Sequence, residues 1–425
     1  MSHFALTTIW AILFSLYAHA GATLNTQCTK NAASGVVEGI NINTPYTIAS
    51  VTKVFTSHWA LLNLGPNFRF STLVHITPLS QSLVDVHLEG SAFPYFDKDM
   101  LQFFVGELNR LGIRNINNLT YDEHFFYATD VRYDPMLAHG DGEQTVESVM
   151  TDLRQDVTKI NVSLAALNNK ALKIENLKLP QTLFLKVNDI HFVAKKAFQK
   201  FATTVSFTLP SSELKRSLKE MNRNSNNFAA NKFFELIAAR QNYMDFIMSR
   251  LITVRADEVA LHNGSGYPIV SGENKTYNAA SCTATVEMMA DLRNYLLQNG
   301  LALQDILPVS GKDTPEDGLS TVTQIYGNAL NAGAFLGKTG SVLTTVALAG
   351  LVITENENLF FQTSFNLENS TEDRAIAYAR IKDWLQNVLI KDKKKAELVS
   401  YQPKGYLPFD SKSRLVKIEN IKILN

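Results

Sequence analysis

The sequence predicts an α+β (or α/β) fold in which an antiparallel sheet is flanked by helices and split by a β-rich insertion. An apolar run over residues 54–64, which a Gly-Pro pair ends, is typical of a buried helix that starts at or near Ser50. Two apolar runs, 346–354 and 359–365, flank a polar turn and predict a β-hairpin. The helical period that follows this hairpin predicts a helix lying on the sheet.

The other elements follow in chain order. Residues 98–112 have the pattern of an amphipathic helix, and 113–119 have that of a strand. The residue pattern of the sequence changes over 131–210, where short runs of alternating apolar and polar residues, such as 182–185 and 201–207, indicate a small β-rich insertion. The final helix covers residues 372–389. Its expected apolar face consists of Tyr378, Ile381, Leu385 and Val388.

Length and composition bound the class of protein. The 425 residues are too many for one ordinary core and predict two or three domains. A hydrophobic content of 45% and a charged content of 19% describe a globular chain. A formal net charge of zero gives no reason to expect nucleic-acid binding. The sequence shows neither a zinc-type Cys/His cluster nor a phosphate-binding loop. We therefore expect no metal and no cofactor.

Residues 1–20 resemble an export signal. Their apolar run ends in Ala18-His19-Ala20, a small-x-small cleavage pattern, although no Lys or Arg precedes the run. An uncleaved anchor is the alternative, but the run is shorter than the roughly 20 residues that a span needs. We expect a periplasmic or secreted protein. Pairing of Cys28 with Cys282 stays open at this point.

Ser50 and Lys53 form an S-x-x-K pattern at the start of the first predicted helix. Residues three apart share a helix face, so the lysine amine can reach the serine hydroxyl. The helix N-terminus also favours negative charge on the Ser50 oxygen. The pattern alone is weak, because a serine that caps an ordinary helix looks the same.

Two later patterns make this first one specific. Ser225 and Asn227 give S-x-N, and Lys338, Thr339 and Gly340 give K-T-G. The three patterns occur in the order found in serine-lysine acyl-transfer enzymes, and the sequence therefore resembles penicillin-binding proteins and serine β-lactamases.

The spacing of the patterns narrows the resemblance. The long gap between S-x-x-K and S-x-N resembles the class C low-molecular-mass penicillin-binding proteins, which are D-alanyl-D-alanine carboxypeptidase/endopeptidases of the penicillin-binding protein 4 type. This resemblance implies a penicilloyl-serine transferase (β-lactamase-like) domain split into 21–65 and 211–425. Residues 66–130 would form an inserted domain, and 131–210 a second, reduced insertion. The middle pattern is S-N-N where S-D-N is usual, and Asn224 precedes it where a lysine is common.

The resemblance also implies a role for each pattern residue. Ser50 would attack the carbonyl carbon, Lys53 would be the base, and Ser225 would pass the proton to the leaving amine. Asn227 would orient Lys53 and the substrate amide. Lys338 and Thr339 would bind the substrate carboxylate, with Gly340 and Ser341 beside them. The N–H groups of Ser50 and Ser341 would form the oxyanion hole. Asp122 would contact a cationic group of the stem peptide.

Lysine chemistry sets a condition on this mechanism. The pKa of Lys53 must fall by roughly 3 from its ordinary value of about 10.4, a cost of about 4 kcal/mol. Burial and a nearby like charge lower a lysine pKa, and Lys338 is the candidate charge. The alternative to a substrate contact for Asp122 is the role of an ordinary turn aspartate.

The expected partners are peptidoglycan stem peptides and β-lactam antibiotics. One competing interpretation is a β-lactamase or esterase, although no candidate deacylating glutamate stands out near S-x-N. Another is a catalytically silent penicillin-binding protein. The basic tail at 393–395 indicates either a solvated end or peripheral contact with a membrane surface.

Overall fold

In the computed structural model the chain forms two compact units. The first comprises the described residues of Met1–Trp59 and Arg240–Pro403, and the second those of Ala60–Ala239 and Lys404–Asn425. The structure describes residues 22–127, 161–313, 320–327, 332–353, 358–368, 371–391 and 400–418. The predicted signal peptide and the basic tail lie outside these ranges.

A five-stranded antiparallel sheet forms the centre of the first unit, in the order β13-β14-β15-β1-β2. The predicted hairpin is confirmed as β14 and β15, paired from Thr345 opposite Asn366 to Ile353 opposite Asn358. The bounds of the sheet strands are β1 Thr23–Asn31, β2 Val37–Ile40, β13 Phe335–Val342, β14 Thr345–Ile353 and β15 Asn358–Asn366.

Helices cover this sheet, as predicted. Helix Glu372–Asp383, which continues with π-helical hydrogen bonding over Trp384–Lys391, buries Ile381 and Leu385 in one apolar cluster with β14. The side chain of Val388 lies outside the described part. The first unit also contains helices Tyr243–Arg250, Cys282–Gln298 and Thr321–Tyr326, the start of Thr52–Leu64, and the short strands β3 Tyr46–Thr47, β9 Val259–Ala260, β10 Ile269–Ser271, β11 Asn274–Thr276 and β12 Ala279–Ala280.

A disulfide joins Cys28 on β1 to Cys282 at the start of helix Cys282–Gln298. The pairing that the sequence left open is thus present, with a Cα–Cα distance of 6.1 Å and a sequence separation of 254. Both cysteines are buried. The bond ties the helix to the sheet that it covers, and it is typical of a protein that folds in an oxidising compartment.

Removing the disulfide should lower stability. We expect Cys28→Ala/Cys282→Ala to reduce the free energy of unfolding by about 2–5 kcal/mol, because the unfolded chain loses the closure of a very long loop. Urea unfolding without reductant measures the change. Reductant should shift the wild-type midpoint and leave the double variant where it is; equal midpoints for both oxidised proteins would contradict the prediction.

The second unit is built on a six-stranded mixed sheet in the order β16-β8-β4-β5-β6-β7. The β5–β6 and β6–β7 pairs are parallel and the others antiparallel. Strands from both predicted insertions pair within this one sheet. The bounds are β4 Ser71–Pro78, β5 Val84–Glu89, β6 Asn115–Tyr121, β7 Lys186–Phe192, β8 Val205–Pro210 and β16 Val416–Lys417.

Among the described residues, the helices that accompany this sheet are Lys98–Arg110, Leu164–Glu175, Leu214–Asn224 and Asn227–Ala238. The first is the predicted amphipathic helix, capped by Asp97, whose side chain accepts from the Met100 N–H. The second lies in the range predicted to be β-rich, and the expected strand at 182–185 is instead an irregular segment before β7. Leucines are buried at alternate positions of this segment although it pairs with no strand among the described residues. The alternating pattern therefore indicates which side chains are buried, and it does not by itself indicate a hydrogen-bonded strand.

Ion pairs between partly exposed arginines and buried carboxylates hold the C-terminal segment to the rest of the second unit. Asp410 accepts from both terminal nitrogens of Arg69, at 3.0 and 2.8 Å, and Arg69 also donates to the Ser211 carbonyl. Glu107 accepts from Arg414 at 2.6 Å and from Arg110 at 2.9 Å. Such bidentate contacts fix geometry as well as charge.

No helix among the described residues combines the length and apolarity that crossing a bilayer requires.

Candidate active site

Ser50 sits on a sharp entry to the first helix. A single 3₁₀ turn, Ala49–Val51, leads into helix Thr52–Leu64, and Ala49 has a φ of 45°, a conformation that is costly for a residue with a Cβ. The helix ends at Leu64, before Gly65 and Pro66, as the sequence predicts. Ser50 stays partly exposed, whereas its neighbours Ala49 and Val51 are buried. The turn therefore presents one hydroxyl at an otherwise closed surface.

Lys53 reaches the Ser50 hydroxyl. Its Nζ lies 2.9 Å from Ser50 Oγ and donates to the Ser265 carbonyl oxygen at 2.8 Å. The lysine side chain has no exposed surface. The predicted contact between the two ends of the S-x-x-K pattern is thus present, and the amine is held by a second partner that the sequence analysis did not identify.

The turn that supplies the Ser265 carbonyl is fixed from behind. Asn263 Oδ1 accepts from the N–H groups of Ser265 and Gly266, at 3.1 and 2.8 Å, and Asn278 Nδ2 donates to the Asn263 carbonyl at 2.8 Å. Thr56 Oγ1, one helical turn beyond Lys53, donates to the Gly264 carbonyl at 2.8 Å. The acceptor for Lys53 is therefore part of a hydrogen-bonded network.

Strand β13 brings the K-T-G pattern to the same place. A Cβ on Gly340 would lie 2.4 Å from the Ile48 carbonyl oxygen and 3.3 Å from the Ser50 nitrogen. A Cβ on Gly266 would lie 1.9 Å from the Ala49 carbonyl oxygen. Only glycine permits such close approach of backbone. The two glycines thus let β13 and the 263–266 turn close on the backbone at Ser50.

Lys338 is buried beside this backbone. Its side chain has no exposed surface, and its Nζ donates to the Thr339 carbonyl at 2.8 Å and contacts Thr339 Oγ1 at 3.4 Å. Thr339 Oγ1 in turn bonds Thr321 Oγ1 at 2.9 Å. Thr321, at the start of helix Thr321–Tyr326, is a contributor that no sequence pattern indicated.

Burial lowers the pKa of both lysines. Desolvation is the largest cause for Lys53, and the positive charge of Lys338 lowers its pKa further, so it lies well below the ordinary value of 10.5. Burial lowers the pKa of Lys338 to about 7. The direction of the Lys53 pKa shift and its two causes, burial and the Lys338 charge, agree with the sequence analysis. A role of Lys53 as the base for Ser50 stays a prediction.

The S-x-N pattern lies in the second unit. Ser225 follows helix Leu214–Asn224 in a left-handed conformation with a φ of 57°, and Asn227 begins the next helix. Asn226 caps that helix, because its Oδ1 accepts from the Ala229 N–H at 2.9 Å. Asn and Asp serve equally well as such caps, which explains why S-N-N can replace S-D-N. The meeting of Ser225 and Asn227 with Ser50 stays a prediction.

Asp122 is buried in a tight turn of the second unit. Its Oδ1 accepts from the N–H groups of Gly90 at 2.8 Å and His124 at 3.0 Å, and burial raises the pKa of its carboxyl. These contacts are those of a turn aspartate. The segment that follows packs against the S-x-N helix, with the rings of Phe126 and Phe228 6.1 Å apart. A substrate role for Asp122 stays a prediction.

The arrangement of Ser50, Lys53 and Lys338 agrees with a comparison of the sequence with protein families. The model of the D-Ala-D-Ala carboxypeptidase 3 (S13) family matches residues 27–138 and 154–388. The chain belongs to this family. It is therefore a serine-type peptidase, and the predicted relationship and fold class are both confirmed.

Solved structures show the same relationship. The chain is 30% identical to Bd3459 from Bdellovibrio bacteriovorus, described as a predatory peptidoglycan endopeptidase, with a TM-score of 0.83 over 93% of this chain and 100% of that one. It is 28% identical to Bd0816, a predatory endopeptidase of the same organism solved with immunity protein Bd3460, at the same coverage and TM-score. Penicillin-binding protein 4 from Haemophilus influenzae shares the fold at 17% identity and a TM-score of 0.58, over 87% of this chain and 96% of that one. No protein with a curated description matches the sequence.

Proposed function

We propose that this S13 peptidase hydrolyses D-Ala-linked peptide bonds of peptidoglycan through an acyl-enzyme on Ser50. The contact of the buried Lys53 amine with Ser50 Oγ at 2.9 Å carries the proposal. A neutral amine takes the serine proton as the oxygen attacks the carbonyl carbon. The amine of the leaving residue receives a proton through Ser225, and water then releases the acyl group and restores the serine.

Substrate binding acts on both lysines. Lys338, with Thr339, is the proposed ligand of the substrate carboxylate. An anion beside Lys338 raises its pKa and holds it charged. The charged ammonium then keeps Lys53 neutral, because two buried cations so close together repel. A carboxylate would thus prepare the base as well as position the bond.

The proposed oxyanion hole consists of the N–H groups of Ser50 and Ser341. The close approach of Gly340 to the Ser50 nitrogen supports it, since it brings β13 alongside the helix entry. Donors fixed before the reaction stabilise the charge that develops on the carbonyl oxygen. Asn227 and Asp122 are the further residues that we propose to contact substrate, the first at the amide and the second at a cationic group of the stem peptide.

The relatives favour endopeptidase activity as the main reaction. Bd3459 is named a peptidoglycan endopeptidase, and its penicillin G acylated form has been solved. Carboxypeptidase activity is the second candidate, because the family description names it. Crosslinked muropeptide dimers and monomeric pentapeptides, digested in parallel and resolved by mass, separate the two. If the protein cleaves neither substrate and takes no covalent penicillin label, the proposal is rejected. Rapid release of the label would favour a β-lactamase. A stable label without cleavage would favour a silent penicillin-binding protein.

We also propose that the protein acts outside the cytoplasm, after removal of residues 1–20. The buried disulfide supports this location. A peripheral contact of the basic tail with a membrane surface remains a proposal from the sequence alone.

The rate should depend on pH in a bell shape. On a substrate with a terminal carboxylate, kcat/KM should fall above about pH 7, because free Lys338 then loses the proton that attracts the carboxylate. It should fall at acid pH as Lys53 gains a proton and stops acting as a base. The alkaline fall should be weaker in kcat, since bound carboxylate keeps Lys338 charged. A kcat/KM that climbs steadily to pH 9 would contradict this assignment.

A further inference from the structure

Arg374 contacts the strand immediately after the K-T-G pattern. Its Nη1 donates to Ser341 Oγ and its Nη2 donates to the Val342 carbonyl oxygen at 3.1 Å. One planar guanidinium thus holds the side chain of one residue and the backbone of the next. The sequence patterns gave no sign of this residue, which lies in the first turn of helix Glu372–Asp383.

The helix that carries Arg374 is a firm support. Its residues Ala377 and Ile381 are fully buried, in the same cluster as Val346 and Leu348 of β14. Strand β14 pairs in turn with β13, with Ser341 opposite Val346. Arg374 therefore bridges two elements that already share a core, so its guanidinium has little freedom to move.

The chemistry of the contact sets the direction of the Ser341 hydroxyl. A guanidinium has only donors, so Ser341 Oγ must accept from Arg374 and its own hydrogen must point elsewhere. Ser341 is partly exposed, while Val342 behind it is buried. The hydroxyl is thus available to donate, and the backbone on which the Ser341 N–H lies is held by the Val342 contact.

We propose that Arg374 is a positioning residue, which fixes Ser341 so that its N–H stabilises the oxyanion and its hydroxyl donates to the substrate carboxylate. This inference rests on the proposed function. It adds a residue from a helix outside the three sequence patterns. Arg374 contacts Ser341 and Val342, and we assign it an indirect role through these two residues.

Acylation by a fluorescent penicillin tests the proposal, with the rate constant of acylation and the dissociation constant of the non-covalent complex measured separately. Arg374→Ala should slow acylation roughly ten- to a hundredfold, because a small displacement of a donor is costly in the transition state. The dissociation constant should rise by a smaller factor than the rate constant falls, because the Ser341 hydroxyl contacts the carboxylate before the reaction, whereas the oxyanion forms only in the transition state. Arg374→Lys should recover part of the rate, since an ammonium keeps the charge and one contact.

Arg380 provides the matched control. It lies on the same helix and donates to the Ala22 carbonyl at 2.7 Å, away from β13. Arg380→Ala should acylate at the wild-type rate. In a Ser341→Ala background, Arg374→Ala should cost less than in wild type, because the Ser341 hydroxyl that accepts from Arg374 is already gone.

Three results would overturn the inference. The first is an Arg374→Ala variant that is acylated at the wild-type rate. The second is an equal loss of acylation rate in Arg374→Ala and Arg380→Ala that follows the fall in melting temperature, which would indicate a structural role alone. A wild-type protein that takes no label would reject the proposed function, and this inference with it.

Discussion

Ser50→Ala should abolish covalent labelling by penicillin and reduce cleavage of peptidoglycan fragments by roughly a thousandfold or more. The variant removes the hydroxyl oxygen that lies 2.9 Å from Lys53 Nζ and that we propose as the nucleophile. It leaves Lys338 and the Ser50 backbone N–H in place, so weak binding of substrate should survive. Fluorescent penicillin on denaturing gels measures the label, and mass spectrometry of digested muropeptides measures cleavage.

Ser57→Ala is the control for this loss. Its hydroxyl is buried on the same helix and donates to the Lys53 carbonyl at 2.7 Å, so the variant removes a serine oxygen without touching the proposed nucleophile. It should keep the label, with at most a modest loss of stability. An undiminished label on Ser50→Ala would show that another residue is acylated.

Lys53→Met should slow acylation by about a hundred- to ten-thousandfold, the range that a general base contributes. Methionine fills similar space and keeps Ser50 present, but it cannot accept the proton. Single-turnover labelling over minutes to hours measures the rate. A hydroxyl that reacts without a base should show only a slow, linear rise with hydroxide concentration.

The same variant should be more stable near pH 7, which separates loss of chemistry from loss of folding. Wild-type Lys53 has a folded pKa well below 10.5, so the unfolded chain binds more protons and folding is opposed in the range between the two values. Wild-type stability therefore rises with pH across that range, and the advantage of Lys53→Met should shrink. Melting curves between pH 6 and pH 10 measure this difference; early melting of Lys53→Met at every pH would contradict it.

Elements close together in the chain could be read from the sequence. Ser50 and Lys53 are three residues apart, so helical geometry alone brings their side chains together. The β14–β15 hairpin is equally local, and the apolar period of Ile381 and Leu385 shows which face of the final helix is buried. The family resemblance supplied Lys338 and the substrate class, and the family comparison confirmed the relationship.

Contacts between distant segments were not readable in this way. The Ser265 carbonyl that holds Lys53 carries no side-chain signal, because any residue has a carbonyl. Helix Leu164–Glu175 was missed, since its neighbours alternate as a strand would. Whether Cys28 and Cys282 pair depends on the distance that the sheet sets between β1 and a helix more than 250 residues later.

The sequence by itself determined the candidate reactive groups, their order and the helix that aligns Ser50 with Lys53, because these depend on residue type and on geometry within one turn. The tertiary structure decided how those groups behave. The pKa of each lysine depends on the water excluded by all the segments around it, and the orientation of Ser341 depends on an arginine from a helix that follows the sheet. The exclusion of water from the two lysine amines is a property of the assembled fold, so no local pattern could have supplied the size of its effect.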